Sequence, residues 1–315
     1  MRGSLLYNNI SRRSFLFGSA AAMTVAGCRS FKPMKVDDRL TVFVSDLHVR
    51  DMGCYQYRFF DRTVDEILAM NPRPRRVIAF GDIAYTCGLE REYRTSRPML
   101  ERLIDAGMEV TLGMGNHDRR STFLSVWPEY RGRTLLPGKI VTKTDLGPVD
   151  LLMLDGLQGK DERKNTDMGP VSGALDNEHQ EWLLAYLKGM TKRTILASHF
   201  PVNELKVCGK PLASRFNEFP LIAGYIYGHL HRWIPSWNLK GWGSRGIVRT
   251  LCLPSTGHWG DIGYTVFRAD EHMAQAEFVQ KDFFFPRPAR EDERRPPEWD
   301  DIIAERTGGR CVFRY

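Results

Sequence analysis

No two of the six cysteines, at positions 28, 54, 87, 208, 252 and 311, are spaced Cys-x-x-Cys, and none has zinc-finger spacing. That excludes a structural zinc module built on thiolates. A long apolar run is also missing. The stretch at 17–26 is too short to span a bilayer as a stable helix. Nor is there a basic stripe. The formal charge of +7 falls to +4 if Arg2, Arg12 and Arg13 leave with a cleaved leader. So mild an excess argues against a dedicated nucleic-acid binder, while anionic substrates stay compatible with it. No internal repeat occurs, which removes the solenoid architectures. With 42% hydrophobic residues in 315, the chain can bury a substantial core.

What is present begins with an address. The first 28 residues hold no acid, and Ser11-Arg12-Arg13-Ser14-Phe15-Leu16 precedes the short apolar run. This pattern resembles a twin-arginine signal. Val25-Ala26-Gly27-Cys28 at the end of the run resembles a bacterial lipobox, in which the cysteine is acylated and becomes the new N-terminus. Together they imply export of a folded protein and a lipid anchor on the outer face of the cell envelope or in the periplasm, with the twin-arginine machinery and a membrane as partners. If Cys28 carries lipid, five cysteines remain and any disulfides leave one thiol over. The expected organisation is a signal at 1–27, a tether at 28–38, one domain at 39–282 and a Pro- and charge-rich extension at 283–315.

From residue 40 onward the chain repeats one arrangement. Short apolar runs end in turns that carry a polar residue. The run at 40–44 ends at Asp46 and His48, 77–80 at Asp82, 110–114 at Asn116 and His117, 194–197 at His199, and 225–227 at His229 and His231. Runs this short and rich in branched and aromatic residues read as buried strands. Helical faces lie between them: Phe60, Val64, Ile67 and Leu68; Met99, Leu100, Leu103 and Ile104, with Ser96 as N-cap and Pro98 in the first turn; and a helix over 176–187. Strands alternating with helices predict an α/β sheet, whose ligands gather beyond the carboxyl ends of the strands. Strands are also expected at 139–141 and 149–154, and antiparallel ones at 246–251, 263–268 and 274–280 forming a second sheet.

The donors at the strand ends are carboxylates, imidazoles and one amide. Such a set suits Zn, Mn, Fe or Co. Seven ligands are too many for one small cation and about right for two sharing a bridging carboxylate, an arrangement suited to displacement at phosphorus. Asp46-x-His48, Gly81-Asp82, Gly115-Asn116-His117-Asp118, a lone His199 and Gly228-His229-x-His231 resemble the five motifs of the calcineurin-like metallophosphoesterases over roughly residues 40–270.

That resemblance implies a four-layer αββα sandwich of two mixed β-sheets with a dinuclear site at the strand ends. Asp46, His48, Asp82 and His231 would hold one transition-metal ion. Asp82, Asn116, His199 and His229 would hold the other, with Asp82 bridging. The ions would be Mn, Fe or Zn, divalent or of mixed valence. The reaction would be attack of a metal-bound hydroxide on a phosphoester, with His117 protonating the leaving group and Asp118 orienting it.

His117-Asp118-Arg119-Arg120 with Phe123-Leu124, and Gly173-Ala174-Leu175 with Trp182-Leu183, look like the class III cyclic-nucleotide and glycerophosphodiester phosphodiesterases. His179 stands where that branch usually has Gln. Gly81-Asp82-Ile83-Ala84-Tyr85 also matches the metal-binding motif of purple acid phosphatases, but those have Gly where this chain has His48. Tyr85 therefore reads as a pocket residue, and the alternatives are a phosphomonoesterase of that kind or a non-catalytic metal-binding envelope protein. Substrate contacts, with a small phosphoester or a lipid head group, are expected from Asn116, Tyr85, Arg119 and His258; Trp127 and Trp259 are further candidates for substrate selection.

One acyl chain anchors a protein only marginally, so stable attachment needs the several chains of a lipoprotein. Cys28→Ser is expected to release the protein from the membrane fraction or to stall its processing. Fractionation with mass measurement of the mature chain checks this, and unchanged attachment and processing would refute the lipobox.

Overall fold

The computed structural model describes residues 35–158, 172–236, 249–284 and 308–315. The twin-arginine segment, Cys28 and the tether up to residue 34 lie outside these, as does the extension at 285–307. In chain order the elements are β1 (Val36–Val44), α1 (Tyr55–Ala69), β2 (Arg73–Ala79), α2 (Glu90–Asp105), β3 (Glu109–Leu112), α3 (Arg120–Val126) and α4 (Tyr130–Arg133). There follow β4 (Thr142–Asp145), β5 (Asp150–Met153), α5 (Asn177–Lys188), β6 (Thr194–Ser198), β7 (Lys206–Val207), β8 (Lys210–Pro211) and β9 (Ile222–Tyr227). The chain closes with β10 (Ile234–Ser236), β11 (Thr250–Cys252), β12 (Gly260–Ala269), β13 (Met273–Phe284) and β14 (Arg310–Arg314).

Two six-stranded mixed sheets result, in the orders β14-β13-β12-β1-β2-β3 and β10-β11-β9-β6-β5-β4. Parallel strands occupy the middle of each. β1, β2 and β3 run together in the first, and β5, β6, β9 and β11 in the second. Three buried clusters correspond to three interfaces between four layers. Phe60, Val64 and Ile67 of α1, with Met99, Leu100 and Leu103 of α2, cover one face of the first sheet. Leu183 and Leu187 of α5 cover the outer face of the second. Between the sheets Phe43, Ile78 and Phe80 meet Leu151, Ile195 and Ile226. The αββα sandwich expected from the motifs is the one observed.

Pairing departs from the sequence expectation in several places. The strands near 263–268 and 274–280 do not build a second sheet with the one near 246–251. β12 pairs antiparallel with β1, and β13 with β12, so both extend the first sheet, whereas β11 lies parallel to β9 in the second. An apolar run marks a buried strand but carries no information about its distant partner. The final residues add β14 to the edge of β13, and Phe313 packs so tightly on Gly224 that a side chain there would overlap its ring. The strand expected at 149–154 is β5, but its antiparallel partner β4 begins just after the expected 139–141. No disulfide joins any two of the five described cysteines.

Local chemistry explains the helix ends. Asp176 caps α5, its carboxylate accepting from the His179 amide at 3.0 Å. α2 begins at Glu90, well before the expected cap at Ser96. The buried Glu92 carboxylate accepts from the amides of Thr86 and Leu89, both at 3.1 Å, and sets the start earlier. Ser96 is then inside the helix with its hydroxyl on the Tyr93 carbonyl, and the helix runs through Pro98 at the loss of one hydrogen bond. Arg120, just past the Gly115–Asp118 turn, reaches across to the second sheet. Its guanidinium donates to both oxygens of buried Asp155 at 2.6 and 2.8 Å, tying the two sheets together beside the strand ends.

His179 sits on the inner face of α5, fully buried, with neither ring nitrogen hydrogen-bonded. Burial pushes its pKa down to about 4 against partial opposition from Asp155. The unfolded chain therefore takes up this proton first, near the ordinary value, and the fold loses stability as pH falls from about 6.5 towards 4. His179→Gln should flatten that part of the pH–stability curve by roughly 1–3 kcal/mol, measured by urea unfolding at pH 7 and pH 4.5. An unchanged slope would show that the ring is not the responsible group.

Candidate metal centre

Every strand named by the motifs delivers its polar residue through a tight turn, and most of these turns have an unusual backbone. Asp46, His48, Asp82, His229 and His231 all have positive φ, between 47° and 70°. This left-handed region is uncommon outside glycine and costs of order 1–3 kcal/mol for each residue. The turns are held by cross-strand hydrogen bonds: the amides of Asp46 and His48 donate to the carbonyls of Gly81 and Asp82, and that of Gly228 to His199. Close packing leaves no space for a side chain at two glycines. A Cβ on Gly115 would overlap the Asp82 carboxylate, and one on Gly228 would overlap Ser45 Oγ.

Two carboxylates stand at the centre, Asp46 at 0% and Asp82 at 1% exposure. Asp46 Oδ2 accepts from Ser45 Oγ at 2.6 Å and the His229 amide at 3.1 Å. Asp82 Oδ1 accepts from the His117 amide at 2.8 Å. Imidazoles surround the other oxygens. His231 Nε2 is 3.1 Å from Asp46 Oδ1, while His199 Nε2 is 3.2 Å and His48 Nε2 3.5 Å from Asp82 Oδ2. His199 Nε2 also lies 3.3 Å from Asn116 Oδ1 and 3.2 Å from His229 Nδ1, while its Nδ1 donates to the Phe80 carbonyl at 2.9 Å. That last bond fixes the His199 ring so that Nε2 faces the carboxylates.

The donor atoms gather into three groups, each within 4.8 Å: Asp46, His48 and His231; Asp82, His199 and His229; and His48, Asp82 and His117. The first two together hold six of the seven expected ligands. Asn116 joins the second through its contact with His199.

These residues fit a cation on two independent observations. Asp46 Oδ1, both nitrogens of His48 and Nδ1 of His231 are buried with no hydrogen-bond partner. A buried polar atom left in that state is costly unless something else satisfies it. The charges agree. Burial alone would raise the pKa of both carboxylates, but the histidines beside them, His231 and His199 for Asp46 and His199 and His117 for Asp82, hold both below the usual range. Burial would likewise lower His199, yet Asp82 and Asp46 outweigh it and raise it to about 9. Burial, with the His199 charge, pushes His229 down to about 4; burial, with His258 and His117, carries His48 well below its ordinary value. Ionised carboxylates therefore stand beside neutral His48 and His229 and a His199 that holds a proton between them, and a transition metal bound by this donor set would displace that proton.

His117 and Asp118 divide differently from expectation. The resemblance has Asp118 orienting the His117 ring, but the partner of His117 Nδ1 is the Tyr85 carbonyl oxygen. The Asp118 carboxylate is engaged by the amides of Gly115, Ile83 and Ala84 at 2.9, 3.3 and 3.1 Å and by the Tyr93 hydroxyl at 3.0 Å. It ties the Asn116–His117 turn to the loop after β2. Burial, then the Asp82 charge, raises its pKa to about 6.

The remaining candidates separate into near and far. His258 lies with its ring centroid 4.1 Å from His48, Trp259 4.4 Å from His231, and Tyr85 6.2 Å from His48. Arg119 is buried at the start of α3, its amide donating to Tyr93 Oη at 2.8 Å. Trp127 is a core residue, packed on Phe123 and Tyr93. Sequence reading missed Tyr93, which supports Asp118 and Arg119 together, because it lies on a helix in an ordinary apolar stripe. It also missed Gln56 and Tyr55, which meet His258 from α1.

No curated protein matches the chain. Solved structures similar to it include Vps29 of Chaetomium thermophilum, at 12% identity and TM-score 0.37, over 88% of this chain and 96% of that one. TT1561 of Thermus thermophilus has 10% identity and TM-score 0.46, over 73% and 94%. Zinc-complexed Vps29 of Entamoeba histolytica has 14% identity and TM-score 0.34, over 76% and 92%. None is similar enough to carry a residue role, metal or substrate across. The pattern of the calcineurin-like phosphoesterases matches residues 40–233, which is more than half the chain and spans all five ligand-bearing turns. By that match, and with a cluster of His and Asp donors fitted to a cation, the chain belongs to the calcineurin-like phosphoesterases, metal-dependent hydrolases of phosphoric esters.

Proposed function

We propose that this protein is a phosphodiesterase that uses two transition-metal ions joined by Asp82. The observation that carries this reading is that Asp82 belongs to two groups of donors, one with His199 and His229 and one with His48 and His117, while His48 also groups with Asp46 and His231. Asp46, His48, Asp82 and His231 would hold one ion, and Asp82, Asn116, His199 and His229 the other. Bound there, such ions supply Lewis acidity towards a phosphoryl oxygen and lower the pKa of water.

The chain's own residues do the rest. A carbonyl oxygen can only accept, so the Tyr85 carbonyl keeps the His117 proton on Nδ1 and leaves Nε2 to gain and release one. His117 is half-buried and groups with His48 and Asp82, which supports a role in protonating a departing alkoxide. Asp118 and Tyr93 hold the turn that carries it. The membership of His48 in the first group favours this reading over a monoesterase of the purple acid type, whose pattern has glycine there. The pattern at residues 11–28 supports export and lipid anchoring, which would present the site to small phosphodiesters or lipid head groups outside the cytoplasm.

General-acid help is worth about 10²–10⁴-fold and matters most for poor leaving groups. His117→Ala should keep its metal, lose about that factor on alkyl diesters and lose little on nitrophenyl diesters. The measurement is kcat/KM over diesters of graded leaving group, with metal content determined in parallel. An equal loss across the series would make His117 a phosphate-positioning residue. No turnover of bis-p-nitrophenyl phosphate by folded, Mn- or Zn-loaded wild type would overturn the catalytic reading and leave a metal-binding envelope protein.

A further inference from the structure

Glu92 is wholly buried in the first turn of α2, and both of its carboxyl oxygens accept from backbone amides, Oε1 from Thr86 and Oε2 from Leu89, each at 3.1 Å. The Leu89 bond is ordinary capping, in which a Glu at the third helical position reaches back to the amide of the residue that starts the helix. The Thr86 bond is not. Thr86 lies three residues before that cap, in the loop between β2 and α2, and helix formation gains nothing from it.

What the Thr86 bond holds is a peptide plane. The Thr86 N–H and the Tyr85 C=O belong to one peptide unit, which is planar and trans, so the two groups point in opposite directions. Fixing the N–H therefore fixes the carbonyl, and the Tyr85 carbonyl oxygen is the partner of His117 Nδ1. A line of hydrogen bonds thus runs from Glu92 Oε1 through the Tyr85–Thr86 peptide to the His117 ring. An acceptor on the N–H also polarises the peptide and strengthens its carbonyl as an acceptor. The surroundings leave this loop little freedom. Gly88 has φ of 70°, and a Cβ on it would overlap the Arg119 nitrogen, so the loop lies directly on the turn that carries His117. Thr122 Oγ1 donates to the Gly88 carbonyl. Tyr93, the next residue of α2, holds the turn itself, donating to Asp118 Oδ1 at 3.0 Å and accepting from the Arg119 amide at 2.8 Å. Two consecutive residues of one helix therefore grip the loop that orients the His117 ring and the turn that bears it.

We infer that Glu92 is a positioning residue for His117: through the Tyr85–Thr86 peptide it keeps a proton on Nδ1 of that ring and so reserves Nε2 for exchange with the leaving group. Glu92 itself touches no substrate. The inference rests on the phosphodiesterase reading for the work that His117 does, but not for the state of the ring.

Histidine-ring nitrogen NMR of the Zn-loaded protein reads that state directly, with His117→Ala assigning the signals. Wild type should show His117 with a proton on Nδ1. Glu92→Met keeps the volume and removes both acceptors; it should release the peptide and let the tautomer with its proton on Nε2 appear, with zinc content unchanged. Glu92→Gln, which keeps one acceptor, should shift the balance less. In kcat/KM, Glu92→Met should lose roughly ten-fold on alkyl diesters, part of the range a general acid supplies, and less on nitrophenyl diesters. In a His117→Ala background the same substitution should cost nothing further on alkyl diesters, because a residue that acts through His117 has no other route.

A wild-type His117 ring with its only proton on Nε2 would overturn the inference, whatever the variants do. So would an unchanged tautomer in folded Glu92→Met, or an equal loss on alkyl diesters with and without His117, which would leave Glu92 a helix cap alone. If Glu92→Met does not fold, the same readouts on Glu92→Gln decide, and no change in either would overturn the inference. If wild type hydrolyses no ester but the Nδ1 proton depends on Glu92, the catalytic reading fails and the positioning of the ring stands.

Discussion

Two ionised carboxylates buried at the meeting of two sheets are the constraint on which the rest of this structure depends. Taking a carboxylate out of water costs several kcal/mol unless charge and hydrogen bonds replace the solvent. Asp46 and Asp82 obtain part of that replacement from Ser45, from the amides of His229 and His117, and from the imidazoles around them. The part that is missing is visible in the orphaned atoms of Asp46, His48 and His231. A cation would supply both the positive charge and the missing partners, so that binding a metal and stabilising the strand ends would be one event.

The sandwich provides the leverage for this. The left-handed residues of the ligand turns cost of order 1–3 kcal/mol each, a strain that fully buried side chains offset at about 1.5–3 kcal/mol apiece. The inter-sheet cluster is dense with such side chains; Phe43 packs on Phe80 and Phe267 at centroid distances of 5.1 and 4.8 Å. Burial there keeps β1 and β2 opposed to β6 and β9, and so holds ligands from different sheets within reach. The Arg120–Asp155 pair and the Asp118–Tyr93 bond do the same work with polar groups, one across the sheets and one across the loops of the first sheet.

The cluster of His, Asp and Asn donors is legible in the sequence because each of them is announced locally. A short apolar run predicts a strand, and the Asp, His or Asn just beyond it falls where such strands place their functional groups. The left-handed turns strengthen the signal, since Asp, Asn and His tolerate that backbone better than most residues. Sheet membership is not legible. β12 can be seen as a strand, but its pairing with β1 joins distant parts of the chain, Leu40 to Arg268, and nothing near residue 265 specifies it. Ser96 and Pro98 look like a helix start only until Glu92 is considered, whose carboxylate stabilises an earlier one. Asp118 looks like the orienter of His117 because the two are adjacent in the chain, whereas the turn points the carboxylate towards backbone amides and Tyr93. His258 can be singled out as polar and near a strand, but its contacts with Gln56 and Tyr55 of α1 are ones that no spacing announces.

Asp82 as the shared ligand is the central claim, and metal analysis tests it most directly. Wild type and Asp82→Asn, purified after identical Mn or Zn loading and shown folded by circular dichroism, are compared by elemental analysis of metal per chain. Two ions per chain in wild type and fewer than one in Asp82→Asn is the predicted result, because loss of a bridging carboxylate weakens both positions together. Two ions retained in Asp82→Asn, or a single ion in wild type, would contradict it.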